Sequence, residues 1–285
     1  GVRALRRAMV KVPVSAPDEV VDTCGTGGGA LTTFNISTAA ALLAAGAGVR
    51  IAKHGNRSFS SRCGSADVLE ALGVRLDLTP EEEVRILEET GIVFMFAPLH
   101  HPAMRHVGPI RRELGMPTLM NVLGPLTNPA MARRQVVGVS DRGLLELIAG
   151  GLRALAHEHA MVVHGEPGMD ELSPIGATEV FEVRDGEIRR WSFDPRDELG
   201  WAFAGAEGLA GAEPEENARI VERVLRGDLG GAARAAVTLN AAAALYVGAK
   251  AASLAEGVAQ AEEALDRGLG WERLLALREA THASG

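Results

Sequence analysis

Five short apolar runs, at residues 19–22, 49–54, 92–96, 135–139 and 160–164, recur between segments with helical periodicity. Runs of this length flanked by helices read as buried strands. Strands joined through helices run parallel and need cover on both faces of their sheet. The expected class is therefore α/β, a mainly parallel central sheet flanked by helices. The helical patterns fall at residues 37–47, 65–72, 81–90, 141–156, 214–226, 232–247, 254–267 and 271–282. Two further runs, 178–183 and 187–193, flank Asp185-Gly186, a residue pair preferred in tight hairpin turns. Residues 98–129 are helical in pattern but dense in Pro, Gly, His and Arg, which reads as a small helical subdomain set into the α/β body.

Glycine is unusually frequent, at 34 of 285 residues, and collects in the loops between these elements. After the first strand comes Cys24-Gly25-Thr26-Gly27-Gly28-Gly29-Ala30, and then an alanine-rich helix. Successive glycines let backbone amides point at one anion, and a helix start adds its positive dipole end. The spacing touches a dinucleotide fingerprint, but the acid such a site places about 20 residues on is missing. No Gly-Lys-Ser/Thr follows the glycines, so the Walker pattern fails too. Residues 23–66 contain no Asp or Glu, while Arg50, Lys53, Arg57 and Arg62 give that segment a formal +4 in a chain of net −8. Such polarisation suits a polyanion.

A second basic loop, Lys53-His54-Gly55-Asn56-Arg57, leaves the next strand. In a parallel sheet it faces the glycine loop across a crevice at the carboxyl ends of the strands. Lys53 offers a point charge, Arg57 a planar fork and Asn56 both a donor and an acceptor. His54 is open between ordering the loop and touching a substrate. Asp170 and Glu171 follow a strand and a glycine turn, where they form either a solvated turn or a magnesium site completed by substrate phosphates. His100, His101 and His106 lack the fixed ligand spacing of a zinc site. No serine or cysteine stands in a nucleophile elbow.

Taken in order, Asp22-x-x-Gly-Thr-Gly-Gly, Asn35-Ile36-Ser37-Thr38, Lys53 to Arg57, Gly64-Ser65-Ala66-Asp67, His101-Pro102-Ala103-Met104 and Pro109-Ile110-Arg111-Arg112 resemble anthranilate phosphoribosyltransferase. Asn121-Val122-Leu123-Gly124-Pro125, Gly168-x-Asp170-Glu171 and Pro214-Glu215-Glu216-Asn217 extend the likeness over almost the whole chain. The resemblance implies phosphoribosyl diphosphate at Gly25, Thr26, Gly27, Gly28, Thr33, Asn35, Ser37, Thr38, Lys53, Gly55, Asn56, Arg57 and Ser65. It implies anthranilate at Gly25, Asn56, His101 and Arg111, and Mg²⁺ at Ser37, Asp170 and Glu171, with no residue assigned as general acid or base. The implied reaction is Mg²⁺-dependent phosphoribosyl transfer to anthranilate, a step of tryptophan biosynthesis. It also implies a small helical subdomain at residues 1–17 and 98–130, beside an α/β domain at 18–97 and 131–285. The family carries more helical sequence ahead of the part beginning here, so that subdomain is expected to be truncated at its N-terminus, with a homodimer contact left open. One position departs: the family usually has Asp where this chain has Gly29.

Two rivals share the fold. A pyrimidine-nucleoside phosphorylase has a stretch similar to Gly64-Ser65-x-Asp67-x-Leu69-Glu70, but the loop from Lys53 to Arg57 matches the transferase. A non-catalytic nucleic-acid-binding relative would want a broad basic face, which a net charge of −8 opposes. Two cysteines, Cys24 and Cys63, fit free thiols in a reducing compartment. No apolar run reaches the ~18 residues of a membrane span, and no signal peptide is visible, so the expected location is the cytoplasm.

Overall fold

The computed structural model describes residues 1–58, 62–107, 113, 118, 120–203 and 205–283. In chain order the elements are α1 (Val2–Ala8), β1 (Val20–Gly25), α2 (Ile36–Gly46), β2 (Arg50–Gly55), α3 (Ser65–Ala71), α4 (Pro80–Thr90), β3 (Ile92–Phe96), α5 (Ala97–His100) and α6 (Met120–Leu123). Then follow β4 (Arg134–Gly138), α7 (Leu145–Ala154), β5 (His159–Gly165), β6 (Thr178–Arg184), β7 (Glu187–Phe193), α8 (Pro195–Leu199), α9 (Pro214–Leu225), α10 (Gly231–Val247), α11 (Leu254–Asp266) and α12 (Leu269–His282). The strands form one sheet in the order β3-β2-β1-β4-β5-β6-β7. The first five run parallel, and β6 and β7 extend the edge antiparallel.

Burial explains the pattern. β1 to β5 are covered on both faces, so their residues are buried at nearly every position instead of alternating. β7 lies at the open edge, where Glu187, Arg189 and Arg190 are exposed and discourage pairing with another chain. Its turn takes left-handed φ at Asp185 (53°) and Gly186 (78°), as a twisted two-residue hairpin requires. One face of the sheet is covered mainly by α2 and α10, which are buried almost all round. Their alanines add little area each, but small side chains bring the helix axes close. On the other face Leu145, Ile148 and Leu152 of α7 pack on Val137, Val139, Ala160 and Val162, with Val122 and Leu126 in the same cluster.

Most expected elements lie within two residues of their place, and the exceptions have local causes. The first strand starts one residue later, because Pro17–Glu19 forms a 3-10 turn, and it continues to Gly25, where it still pairs with Gly138. The helix expected from residue 141 opens with a 3-10 turn at Arg142–Leu144, because the Asp141 carboxylate accepts from Gly143 N at 2.9 Å. The first residues contact the 97–130 segment: Val10 N donates to His100 O at 2.8 Å and Arg6 Nε to Leu126 O at 3.1 Å.

A buried pair fastens that segment to the body. Glu83 of α4 and His100 of α5 have side chains 0% and 1% exposed and lie 2.9 Å apart, and the other His100 ring nitrogen meets Val10 O at 3.0 Å. Burial raises the Glu83 carboxyl above its ordinary value, and it opposes the charge on His100, whose bond to Glu83 outweighs it and raises the imidazole. Removing one member strands the other in an apolar setting. Glu83→Ala is expected to lower stability by about 3 kcal/mol, and Glu83→Gln, which keeps a group able to bond, by clearly less. Urea unfolding checks both.

Candidate active site

The order of the strands creates the site. From β1 the chain moves outward through β2 to β3, then returns to the other side of β1 as β4 and β5. Neighbouring strand ends therefore diverge beside β1, leaving a crevice at the carboxyl edge where ligands of open α/β sheets bind. The glycine loop, the basic loop and the Asp170-Glu171 turn all leave the sheet at this edge, from β1, β2 and β5.

The loops are bonded to each other. Thr26 N donates to Gly138 O at 2.9 Å, and Ser140 N donates to Thr26 Oγ1 at 3.0 Å, joining the glycine loop to the end of β4. Gly27 (69°) and Gly28 (79°) take left-handed φ, a conformation glycine adopts at no steric cost. Gly27 N donates to Asp170 Oδ2 at 2.8 Å, so the loop already serves a negative charge. Ala30 N donates to Gly168 O at 3.0 Å and fixes the far end. Gly29, the departure from the family pattern, has no left-handed φ; its constraint is proximity, since a Cβ there would lie 2.7 Å from Gly168 O.

Lys53 lies on the floor, 3% exposed. Its Nζ donates to Thr23 O, and stands 3.3 Å from Thr23 Oγ1 and 3.4 Å from Ser37 Oγ. Burial lowers its pKa, opposed by the negative charge of Asp22 first and then of Glu171 and Asp170. Fully buried Asp22 accepts from His54 N at 3.0 Å and from Gln135 Nε2 at 3.1 Å. Burial raises Asp170, against the Gly27 N–H. Burial and then the Asp170 charge push Glu171 well above the usual carboxylate range, and its Oε2 has no hydrogen-bond partner. Two carboxylates held together with one oxygen unserved are suited to a divalent cation. Among the described residues no three His, Cys, Asp or Glu side chains converge on one point, so further ligands must come from hydroxyls, water or substrate oxygens.

Other expected residues are bonded within the chain itself. Arg57 binds Asp67 at 3.1 Å and both carboxylate oxygens of Glu70, and its guanidinium stands 5.4 Å from the Phe96 ring centroid. Those contacts hold its charge more firmly than usual and order the loop. Asn35 is a bracket: its Oδ1 accepts from Asn217 Nδ2 at 3.0 Å and from Cys63 Sγ at 3.2 Å, tying the glycine loop to the start of α9. Asn56 Oδ1 caps Arg57 N at 2.7 Å, and Ser65 Oγ donates to Asn56 O at 3.3 Å beyond the end of β2 at Gly55. Thr33 bridges to Ala210, and Thr38 is buried with its hydroxyl unserved.

His54 and His101 pack with ring centroids 5.0 Å apart. Burial first, then the neighbouring imidazoles, hold His54 well below its usual pKa, and the same causes bring His101 to about 4. Both are neutral at physiological pH, and each has an Nε2 without a partner. Arg111 lies outside the described residues. Sequence reasoning missed Gln135, Ser140 and Asn240 as parts of this site. The available signal for Asn240 was a single amide in a 17-residue helix otherwise rich in alanine.

Comparison with known proteins agrees with this geometry. Residues 17–270 match the glycosyl transferase family, a/b domain. The anthranilate phosphoribosyltransferase of Rubrobacter xylanophilus is 53% identical over 93% of this chain and 77% of its own length, and that of Thermomicrobium roseum 51% over 99% and 81%. The crystal structure of anthranilate phosphoribosyltransferase from Thermus thermophilus superposes with a TM-score of 0.92 at 45% identity, covering 99% of this chain and 83% of that one. The enzyme from Saccharomyces cerevisiae in complex with PRPP and Mg superposes with a TM-score of 0.89 at 30% identity, over 98% and 78%. With this sheet and with relatives that agree over nearly its whole length, the chain belongs to the glycosyl transferase family, among the anthranilate phosphoribosyltransferases.

Proposed function

We propose that this chain transfers the phosphoribosyl group of phosphoribosyl diphosphate to the amino nitrogen of anthranilate, giving N-(5-phosphoribosyl)anthranilate and diphosphate in tryptophan biosynthesis. The observation that carries the reading is the meeting of glycine loop, buried Lys53 and Asp170-Glu171 at one sheet edge, with Glu171 Oε2 unserved. Breaking the bond from C1 to oxygen leaves positive charge on the ribose and negative charge on diphosphate. The glycine loop borders that negative charge, and Lys53 adds a fixed cation beneath it, already oriented before reaction. Ser37, Asp170 and Glu171 are the residues for Mg²⁺, which when bound supplies charge neutralisation for the diphosphate. Lys53 holds Ser37 Oγ from below and so orients that hydroxyl.

An aromatic amine is nucleophilic as it stands, and orientation accounts for much of such a rate. Neutral His54 and His101 suit the path of an uncharged ring amine, and Arg111 is assigned to the anthranilate carboxylate. Arg57 keeps the basic loop in place through Asp67 and Glu70. We assign residues 1–17 and 98–130 to a small helical unit and the rest to the phosphoribosyl-diphosphate-binding domain. Among the described residues no helix is long and apolar enough to cross a membrane; we place the enzyme in the cytoplasm.

Loss of anthranilate fluorescence on mixing with phosphoribosyl diphosphate and Mg²⁺ tests the reaction; unchanged fluorescence would refute it. Lys53→Ala should raise the KM for phosphoribosyl diphosphate by roughly 10- to 150-fold, the size of a lost charge-assisted contact. The KM for anthranilate should stay nearly constant, and Arg57→Ala, whose charge is spent within its own loop, should do less. Equal losses for both substrates in steady-state kinetics would argue against this placement.

The double change Asp170→Asn, Glu171→Gln removes two charges and keeps the shape. Turnover should fall severely and the Mg²⁺ requirement rise; a magnesium titration like the parent's would reduce the pair to a solvated turn. Gly29→Asp should lower the melting temperature, because its side chain begins 2.7 Å from Gly168 O and approaches the Asp170 carboxylate. If the melting temperature is unchanged, the proximity account of Gly29 is wrong.

A further inference from the structure

The turn that carries Asp170 and Glu171 is anchored at both ends. On its upstream side Met169 exchanges both backbone bonds with Gly165: Met169 N donates to Gly165 O at 2.7 Å, and Gly165 N donates to Met169 O at 3.0 Å. On its downstream side Leu172 is fully buried and has no strand beside it to make the same exchange. A side chain takes that place. Asn240 Oδ1 accepts from Leu172 N at 3.0 Å, and Asn240 Nδ2 donates to Leu172 O at 3.0 Å and to Ala236 O at 2.9 Å. Leu172 N needs an acceptor while the two carbonyls need donors, so only one orientation of the amide serves all three.

We infer that Asn240 is a positioning residue for the Asp170-Glu171 pair, a clamp from the buried helix α10 that sets where the two carboxylates stand. Three further observations support the assignment. Thr23, Cys24, Ser37, Asp170, Glu171 and Asn240 line one small cavity, so the clamp lies directly beneath the acids. Asn240 interrupts a buried apolar face of α10 otherwise made by Ala236, Val237, Ala243 and Ala244, and its second N–H is spent on its own helix at Ala236 O, which locks its rotamer. Asp170 O packs so closely on Gly138 that a Cβ there could not fit, so the turn cannot slide inward to compensate for a lost clamp.

The pair's two anchors differ in kind, and the difference has a chemical effect. The upstream anchor is backbone to backbone and survives any side-chain change. The downstream anchor depends on one amide that can be removed. Mutually repelling carboxylates swing apart unless the backbone that carries them is held. Without Asn240 the pair loses its fixed separation, and a cation that needs both oxygens together binds less well. The inference rests on the reading of Asp170 and Glu171 as the Mg²⁺ residues.

The test uses amide hydrogen exchange of the full chain without magnesium, calorimetric titration of phosphoribosyl diphosphate in saturating Mg²⁺ without anthranilate, and kinetics. In the parent protein the Leu172 amide should exchange slowly, as a buried bonded amide does; exchange at the rate of an exposed loop would overturn the clamp with no variant needed. In Asn240→Ala, Leu172 exchange should quicken. The Mg²⁺ concentration for half activity and the dissociation constant for phosphoribosyl diphosphate should both rise by about tenfold, the size of one lost hydrogen bond of ordinary strength. The KM for anthranilate should change less than twofold. Faster exchange with unchanged magnesium and phosphoribosyl diphosphate binding would make Asn240 merely structural and overturn its positioning role. Asp170→Asn, Glu171→Gln, run alongside, separates the two ideas: if it leaves the magnesium titration unchanged, the metal reading fails; if it shifts the titration strongly and Asn240→Ala does not, the clamp alone fails.

Discussion

A cation sealed under the carboxyl edge of the sheet governs how this site is built. A lone ammonium taken out of water costs several kcal/mol, and Lys53 is 3% exposed. Its charge is answered at short range by Thr23 and Ser37 oxygens and at longer range by Asp22, Asp170 and Glu171. Those three carboxylates against one ammonium leave a formal charge of −2. The surplus is concentrated on the turn after β5, beside the Gly27 amide that donates to Asp170. A site of this kind gains from a dication and from a phosphate bound together more than from either one alone.

The acids depend on the cation in return. Asp22 has no solvent exposure, and besides the nearby Lys53 it is supported by hydrogen bonds from His54 N, Gln135 Nε2 and the Asn128 side chain. Gln135 also donates to Pro125 O at 2.6 Å, which links β4 to the segment that carries the transferase-like Asn121 to Pro129 stretch. Asn128 continues the link through Ala52 O at 2.9 Å, next to Lys53 in β2. The polar floor thus couples three parallel strands and a loop. A single substitution in it is expected to propagate across the site.

The strands and the hairpin could be read from the chain because their signal is local: apolar run length for β1 to β5, and Asp185-Gly186 between two short runs for β6 and β7. The motif residues could be read because a glycine run and an acid-free basic segment are visible without coordinates. What could not be read depends on contacts between distant residues. Asn35 looks like a phosphate residue, but its amide oxygen is shared by Asn217 and Cys63, 182 and 28 positions away. Arg57 looks like a free fork, but Glu70 folds back onto it from α3. Gly29 invites an argument from backbone freedom, whereas Gly168 O decides it. In each case the residue type was informative and its partner was not.

The two ends of the sheet show how satisfied and unsatisfied polar groups divide stability from chemistry. Near the start of β5 the Glu182 carboxylate accepts from His159 Nε2 at 2.8 Å, Tyr246 Oη at 2.8 Å and Trp191 Nε1 at 3.0 Å. Burial opposes that charge, yet these donors outweigh it and leave the group below its ordinary pKa. That end is complete. Among the described residues six buried side-chain atoms have no hydrogen-bond partner; three of them, Thr38 Oγ1, His101 Nε2 and Glu171 Oε2, belong to residues that the family motifs imply for the site, and a fourth, His54 Nε2, belongs to the ring packed against His101. A buried polar atom left unserved is costly, and a fold keeps it where something else arrives to serve it. The same sheet therefore closes its polar bonds at one end and leaves them for substrate, metal or water at the other. The direction of its parallel strands fixes which end is which.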